Sequence, residues 1–397
     1  MSMLVNPFVF AGGGGGGPVV PVTRQSYYAE TLSEVQNFNQ FVPTTAVTLT
    51  FTPDANRSYA IFYSGELQHI GMAALVLFED GTEVHRASLV ATELSDPVDA
   101  PLKGGFIVFT AGASPGSKTL DLKIWREDTS FTSRCRNTRL VAIRLENGDA
   151  HGESLSAINL ASDGSYVDGA SLTLPAAGNY LVLSTGSFDW PSAPSAVGAH
   201  AVRLAEGANS SVVQTEGDPF NISPALFTFG VGWMRTGMSG GEVVKTQAKS
   251  LTSVSGADLV MRLQRNYMLA LNLGAFYETQ VADQASADGG TQNTYQTSNS
   301  LTFTPLAKDY LIIGTWFMYG SDTTISNYSR FVDGGTTLAE GREELINAAV
   351  GSNSLIAKKV TYAASSRTLT IQRRAENTSQ TTTIQEHSLI VALRLNN

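Results

Sequence analysis

A pattern of strand and turn residues recurs three times along this chain, and its spacing restricts the fold more than any other feature. It opens with Leu49-Thr50-Phe51-Thr52-Pro53 and Tyr59, then with Leu172-Thr173-Leu174-Pro175 and Tyr180, then with Leu301-Thr302-Phe303-Thr304-Pro305 and Tyr310. Each opening is answered by an acidic turn: Phe78-Glu79-Asp80-Gly81, Leu204-Ala205-Glu206-Gly207 and Phe331-Val332-Asp333-Gly334. Each copy ends in an apolar close, Leu140 to Leu145, Met268 to Leu273 and Ile390 to Leu395. From Gly81 to Gly207 is 126 residues, and from Gly207 to Gly334 is 127. Solenoid and propeller repeats run only roughly 20 to 50 residues, so each copy is expected to be a complete domain with its own core. The expected domains are 27–150, 151–282 and 283–397, with residues 1–26 standing outside them.

Within the copies, apolar and polar residues alternate with period two, which sets one face of each strand on a core and the other towards solvent. Phe227-Thr228-Phe229-Gly230-Val231-Gly232-Trp233 is the clearest instance, joined by Thr119 to Ile124 and Thr368 to Ile371 at equivalent places in copies one and three. Asp80-Gly81 and Asp333-Gly334 carry the turn chemistry of tight hairpins. Only Leu338 to Val350 reads as a helix, expected in a loop of the third domain. Several short strands ending in an apolar strand central to a sheet describe an all-β protein of three tandem β-sandwich domains, jelly-roll-like by preference. An immunoglobulin-like sandwich is the alternative, although at roughly 100 residues it is shorter than these copies.

Composition narrows the partners. The hydrophobic fraction of 42% is that of a globular chain, and the low charged fraction of 15% is made up by Ser, Thr and Gly. A net charge of -9 with only 26 Lys and Arg argues against nucleic acid. The single cysteine, Cys135, excludes an internal disulfide. No run approaches the roughly 18 apolar residues of a membrane span, and Met1 to Phe10 lacks the basic start of a secretion signal, so neither membrane insertion nor export is expected. The Asn-x-Ser sequons at Asn56, Asn209, Asn221, Asn327 and Asn377 then carry no meaning. Residues 1–26 combine an apolar stretch, Asn6, Pro7, Phe8, Val9 and Phe10, with the glycines Gly12 to Gly17 and with Pro18 and Pro21. They read as an anchor peptide on a flexible tether, with Asn6 to Phe10 as the anchoring residues.

Catalytic and metal chemistry finds little support. Gly-x-Ser-x-Gly occurs at Gly112 to Gly116 and Gly237 to Gly241. A nucleophile elbow needs a strand, a tight turn and a helix, with an N–H after the serine. Pro115 has no N–H to give, and neither site is followed by a convincing helix. His69, His85, His151, His200 and His387 are scattered without ligand spacing, so no metal or cofactor is expected, and Asp80 and Asp333 read as turn residues. Glu343 and Glu344 point about 100° apart on a helix and share no site. Aromatic residues supply the candidate ligand contacts, Trp190 in Phe188-Asp189-Trp190-Pro191 and Trp316 and Tyr319 in Trp316-Phe317-Met318-Tyr319, weighed against burial in the core.

The order of landmarks in copies one and three includes Tyr310 to Ile313, the acid-Gly hairpin, Lys118-Thr119-Leu120 or Arg367-Thr368-Leu369, and Ala142 to Leu145 or Ala392 to Leu395. With Tyr180 to Leu183 of copy two, it resembles the jelly-roll modules of tailed-bacteriophage surface proteins over about residues 27 to 397. Copy two departs from it, with Asn272 in place of the closing arginine and no Lys-Thr-Leu strand. The resemblance implies a non-enzymatic virion protein assembled in the host cytoplasm, trimeric as a homotrimer, and joined to other virion proteins by its N-terminal segment. A tail-associated fibre that meets the host surface, with a glycan there as its partner, is the first expectation. A capsid decoration or head-fibre protein is the second, a bacterial carbohydrate-binding or adhesion protein the third and an esterase the last.

Overall fold

In the computed structural model, the described residues are 19–397 apart from 69–70, 92–98, 127–131, 161–163, 190–197, 212–213, 219–225, 251–261, 321–325, 345–350, 377 and 380. They form antiparallel strands joined by turns, with one 3-10 turn at Leu273–Ala275. Unit one contains β1 (Ser26–Thr31), β2 (Val35–Asn37), β3 (Thr44–Phe51), β4 (Ser58–Gln68), β5 (Gly71–Glu79), β6 (Thr82–Ala91), β7 (Asp99–Thr110), β8 (Lys118–Arg126) and β9 (Ser133–Arg144). Unit two contains β10 (Ala150–Ser154), β11 (Ile158–Asn159), β12 (Val167–Thr173), β13 (Gly178–Asp189), β14 (Gly198–Glu206), β15 (Asn209–Ser210), β16 (Gln214–Asp218), β17 (Leu226–Met238), β18 (Val243–Ser250) and β19 (Arg262–Asn272). Unit three contains β20 (Thr279–Asp283), β21 (Asp288–Gly290), β22 (Gln296–Phe303), β23 (Asp309–Gly320), β24 (Ser326–Asp333), β25 (Thr336–Glu344), β26 (Gly351–Thr361), β27 (Arg367–Ala375), β28 (Thr382–Ile384) and β29 (Leu389–Arg394).

Strand order repeats from unit to unit. One sheet runs β1-β9-β4-β7, and its counterparts run β10-β19-β13-β17 and β20-β29-β23-β26. The facing sheet runs β3-β8-β5-β6, then β12-β18-β14 with β15 and β16, then β22-β27-β24-β25. In each unit the first and last strands pair, and, with the short β2, β11, β21 and β28 set aside and β15 and β16 counted as one, successive strands alternate between the two sheets except across the hairpin at the fourth and fifth. That is the jelly-roll order. Hairpin chemistry sets the fourth turn: Asp80 and Gly81 take φ 47 and 84, and Gly334 and Gly335 take φ 55 and 91, the mirror-turn geometry that suits strand twist. In unit three the turn is thus Gly334-Gly335, and Asp333 ends its strand.

Two expectations are corrected. Leu338 to Glu344 is not helical: it lies in β25, hydrogen-bonded to β24 across the Gly334-Gly335 turn, with Ala339 facing Phe331. Leu338 and Ala339 are buried, so a strand edge satisfies this segment where an isolated helix would not; residues 345–350 lie outside the described residues. The boundary expected at 282/283 also falls earlier, because Thr279–Asp283 pairs with β29 and belongs to unit three. Likewise Ala150 pairs with Ala270 and opens unit two.

The apolar runs are buried on both faces, and this dictates how the units meet. On β13, Tyr180 and Val182 fill the core of unit two, while Leu181 and Leu183 join a cluster shared with the other units. On β23, Tyr310 and Ile312 fill the core of unit three, and Leu311 and Ile313 join the shared cluster. The closing strands divide likewise, with Leu269 and Leu271 of β19 and Leu389, Val391 and Leu393 of β29 facing the shared cluster. Contacts between units run in a cycle. β7 packs on β25 of unit three, β17 on β6 of unit one and β26 on β16 of unit two. In the other direction β7 meets β13, β17 meets β23 and β26 meets β4. Each unit touches its two neighbours through the same two surfaces, so the chain closes a pseudo-threefold ring on itself.

Polar links fix the ring. Glu66 of unit one accepts the Glu340 N–H of unit three at 2.8 Å, and the buried Arg139 donates to the Leu338 carbonyl at 2.6 Å. Between units one and two, Arg265 bridges to Glu83 at 2.9 Å, and the His85 ring stands edge-on to Tyr267 with centroids 5.6 Å apart. His85 is fully buried and Nδ1 is hydrogen-bonded to the Tyr63 hydroxyl. Burial, then the charge of Arg265, pushes its pKa down to about 3. An unfolded histidine titrates near 6.5, so between about pH 6.5 and 3 the unfolded chain binds the extra proton and stability falls with falling pH. Urea unfolding at pH 7 and 5.5 is expected to show the native chain losing about 1 kcal/mol more than the His85→Gln chain. Equal losses would contradict a neutral, buried His85.

Candidate functional site

The three units present the same ends in the same direction. At one end, the base, lie the loops between β3 and β4, between β5 and β6 and between β7 and β8, with their counterparts. The closing strands also finish there. The repeated tyrosines pin this end: Tyr59 donates to Gln25 at 2.9 Å, Tyr180 to the Ala176 carbonyl at 2.8 Å and Tyr310 to Glu278 at 2.6 Å. The closing arginines do the same. Arg144 bonds Asp54 at 2.6 Å and Glu146 at 2.5 Å, and Arg394 bonds the Tyr277 carbonyl at 3.2 Å.

In unit two the closing residue is Asn272, and the missing cation comes from the tether. Arg24 makes a bidentate ion pair with Asp149, with Nη2 to Oδ1 at 3.2 Å, and its guanidinium lies 3.9 Å from the Phe276 ring centroid. Its backbone N–H donates to the Leu395 carbonyl of unit three at 2.8 Å, and Nη1 donates to the Arg144 carbonyl of unit one at 3.3 Å. One residue, through its backbone and its side chain together, therefore touches all three units where their last strands end, and both members of the ion pair are sealed from water, at 0% and 1% exposure. Asn272 completes the corner: its N–H donates to Asp149 at 2.9 Å and its Nδ2 to the Tyr180 hydroxyl at 3.1 Å. The divergence of copy two from the repeated pattern is thus the socket for the tether. The only sequence signal for it was Asn272 standing where copies one and three hold arginine.

The described chain enters at this base. Val22 N–H donates to the Ala275 carbonyl at 3.3 Å, and Val20 and Val22 are exposed. The proposed anchoring residues Asn6, Pro7, Phe8, Val9 and Phe10 precede this point and lie outside the described residues, as does Trp190. The other two aromatic candidates fall in unit three. Trp316 is corrected to a core residue, because it is 1% exposed, stacked on Phe331 and hydrogen-bonded from Nε1 to Ser329 at 2.9 Å. Its indole has no face left for a ligand. Tyr319 is half-buried beside Phe317, and nothing gathers it with Trp316 into a shared surface.

The opposite end differs among the units. There unit one exposes Leu32, Phe38, Phe41 and Val42, each 57–65% exposed, around the short strand β2. Phe41 leans on Trp125 with centroids 6.2 Å apart.

Neither Gly-x-Ser-x-Gly segment forms an elbow: Gly112 to Gly116 joins β7 to β8, and Gly237 to Gly241 runs from the end of β17 to β18, strand to strand in both cases. Among the described residues, no group of three His, Cys, Asp or Glu is placed to hold a metal ion. Cys135 is buried in the core of unit one, and burial pushes its thiol up to about 12. No helix of the described residues is long and apolar enough to cross a membrane.

No protein-family model and no curated protein matches the chain. Among solved structures, it is similar to PNGF-II at 10% identity and a TM-score of 0.30, over 86% of this chain and 98% of that one. It is similar to the triple jelly-roll turret protein of an archaeal virus at 10% identity and a TM-score of 0.20, over 93% and 91% of the two chains. It is also similar to VP2 of the infectious bursal disease virus subviral particle, at 8% identity and a TM-score of 0.25, over 96% and 83%. Likeness at this level carries no argument about function, and the jelly-roll order above rests on the strand pairing of this chain.

Proposed function

We propose that this chain is a virion structural protein without a catalytic role, a tail-associated fibre held to the particle by residues 1–26. The observation that carries this reading is the entry of the tether at the base, locked by Arg24 where all three units end. A body gripped at one pole displays the other, and the opposite pole of unit one carries the exposed Leu32, Phe38, Phe41 and Val42. That pole takes the contact with the host surface. A threefold body supports the same role that homotrimers fill, here built from one chain: the sheet faces available for trimerisation are already buried between its own units. The expected assembly is therefore one chain per attachment site and not three.

Deleting residues 1–17 leaves Arg24 and every strand in place, so the truncated chain is expected to fold while losing attachment to the particle. Circular dichroism together with particle co-sedimentation reads both outcomes, and retained sedimentation would remove the anchor. Antibody to unit three, imaged on whole particles, is expected on the tail. Label on the head would replace the fibre by a capsid decoration or head-fibre protein.

A further inference from the structure

The outer sheets of units two and three repeat one surface cluster that unit one lacks. Strand pairing fixes the correspondence: Thr44 faces Ile124, Val167 faces Ala248 and Gln296 faces Arg373, at the same register from the pairs Leu49 with Leu120, Leu172 with Val244 and Leu301 with Leu369. Tyr166 and Tyr295 therefore hold one position, just before these strands begin, where unit one has Pro43. On the neighbouring strand Val76 faces Lys123, Arg203 faces Gln247 and Arg330 faces Gln372, so Arg203 and Arg330 are equivalent as well. Lys249 and Arg374, each two places after its glutamine, complete the cluster, and unit one has Trp125 there.

Both clusters are built alike. The Arg203 guanidinium lies 3.9 Å from the Tyr166 ring centroid, and Nζ of Lys249 lies 4.8 Å from it. The Arg330 guanidinium lies 3.8 Å from the Tyr295 centroid, and that of Arg374 lies 5.2 Å from it. Nε of Arg203 donates to Gln247 at 3.0 Å, and Nε of Arg330 donates to Gln372 at 2.7 Å. Ring and amide thus fix the plane of each guanidinium, while its Nη groups are neither buried nor bonded among the described residues. Two cations drawn onto one ring repel each other, and among the described residues no carboxylate is ion-paired with Arg203, Lys249, Arg330 or Arg374. Glu340, opposite Arg330 on β25, instead accepts the Tyr295 hydroxyl at 2.6 Å. A guanidinium held in plane with its fork open, and a second cation beside it, suits a carboxylate taken in two parallel hydrogen bonds.

We propose that each cluster binds a carboxylate of an acidic polysaccharide on the host surface, so that one chain grips the polymer at two equivalent points. Such a polymer repeats its carboxylate as the chain repeats its site, and two weak contacts on one strand of sugar add as avidity. The surroundings are sheet-face amides and hydroxyls, such as Gln372 bonded to Thr297, and offer no apolar pocket for a peptide side chain. Tyr166 and Tyr295 stand where β12 and β22 begin, at the end opposite the base, the end at which unit one exposes Phe38 and Phe41. The proposal rests on the host-contact reading above.

The test titrates the full chain, carrying ¹⁵N-labelled arginine, with hexagalacturonate and reads the Nε–H signals of Arg203 and Arg330. Saturable shifts of both are expected, with a Kd on the order of 1 mM. The fully methyl-esterified hexamer should shift neither. Arg203→Ala should leave the Arg330 response in place and Arg330→Ala that of Arg203, the surviving signal showing that each variant is folded. With both substitutions binding should weaken by about tenfold or more. No saturable shift, an equal response to the ester, or a double variant that binds like wild type would overturn the sites. An equal response to hexaglutamate would assign them to peptide carboxylates and overturn the saccharide. Titration as expected, with unaltered host adsorption of particles bearing the double variant, would instead defeat the host-contact reading and leave the binding sites standing.

Discussion

Replacing Arg24 by alanine is expected to lower the stability of the whole chain by about 3–5 kcal/mol, although Arg24 lies outside every strand. The reason is what the substitution leaves behind. Asp149 is 1% exposed, and without Arg24 its charge would stay buried with only the N–H groups of Asn272 and Glu146 to meet it. The Phe276 ring would lose the guanidinium 3.9 Å away, and the Arg144 carbonyl would lose a donor. Because the side chain joins the end of unit one to the Asp149 corner of unit two, its loss should also reduce cooperativity, so that urea unfolding broadens or splits. Arg24→Lys should recover only part of the loss, since an ammonium cannot form the bidentate pair or stack in the same way. A second variant, Asp149→Asn, separates charge from packing: combined with Arg24→Ala it removes the unpaired charge and should recover stability relative to Arg24→Ala alone. Unfolding of Arg24→Ala within about 0.5 kcal/mol of wild type would show that the lock contributes nothing.

The second large effect is expected at Gly104 on β7. A Cβ built there would collide with the Leu355 carbonyl of unit three and stand 2.8 Å from the Tyr63 carbonyl and 3.1 Å from the Ser64 Cβ. The first two obstacles are backbone, so no rotamer change relieves them, and the strands must part. Gly104→Ala is expected to cost about 1–3 kcal/mol, and Gly104→Val more. The damage should concentrate between units one and three, where β7 meets β26. Hydrogen exchange should accelerate at Gly104 and Leu355 before it does in the core strands of unit two. Gly112→Ala is the control, since nothing lies within 4 Å of its Cβ position and it should behave as wild type. Equal stability of the Gly104 and Gly112 variants would mean that β7 and β26 are not in close contact.

Much of each unit was legible in the sequence because its determinants are local. Alternation in Thr119 to Ile124 and in Thr368 to Ile371 identified strands, the acid-Gly turns located hairpins, and Leu140 to Ile143 announced a central strand. The ring was not legible, because period two tells which residues share a face and not what covers it. In Phe227 to Trp233, Phe229, Val231 and Trp233 fill the core of unit two as the alternation implied. The alternation sets Gly230 and Gly232 on the solvent face, yet they face unit three: a Cβ on Gly230 would stand 2.9 Å from the Leu355 Cβ. Only the unbroken runs, such as Tyr180 to Leu183, hinted that a second face needed burial. Leu338 to Glu344 was misjudged for the opposite reason. Its residues favour helix locally, but the Glu340 N–H and Leu338 carbonyl are held by Glu66 and Arg139 of another unit, a partner some 200 or more positions away in sequence. The candidate site fared worst. Arg24 sits among valines and prolines in a segment read as tether, and its importance depends on Asp149, Phe276, Leu395 and Arg144 converging from three units.

Small-angle X-ray scattering of the purified full-length chain tests the closed ring most directly, since one curve reports both mass and compactness. The predicted mass is that of one 42.2 kDa chain. The predicted radius of gyration is about 22 Å, the value for a compact body of this length. Three units strung end to end would give roughly 33 Å instead. Either that extended value or a mass three times larger would contradict a threefold body closed within a single chain.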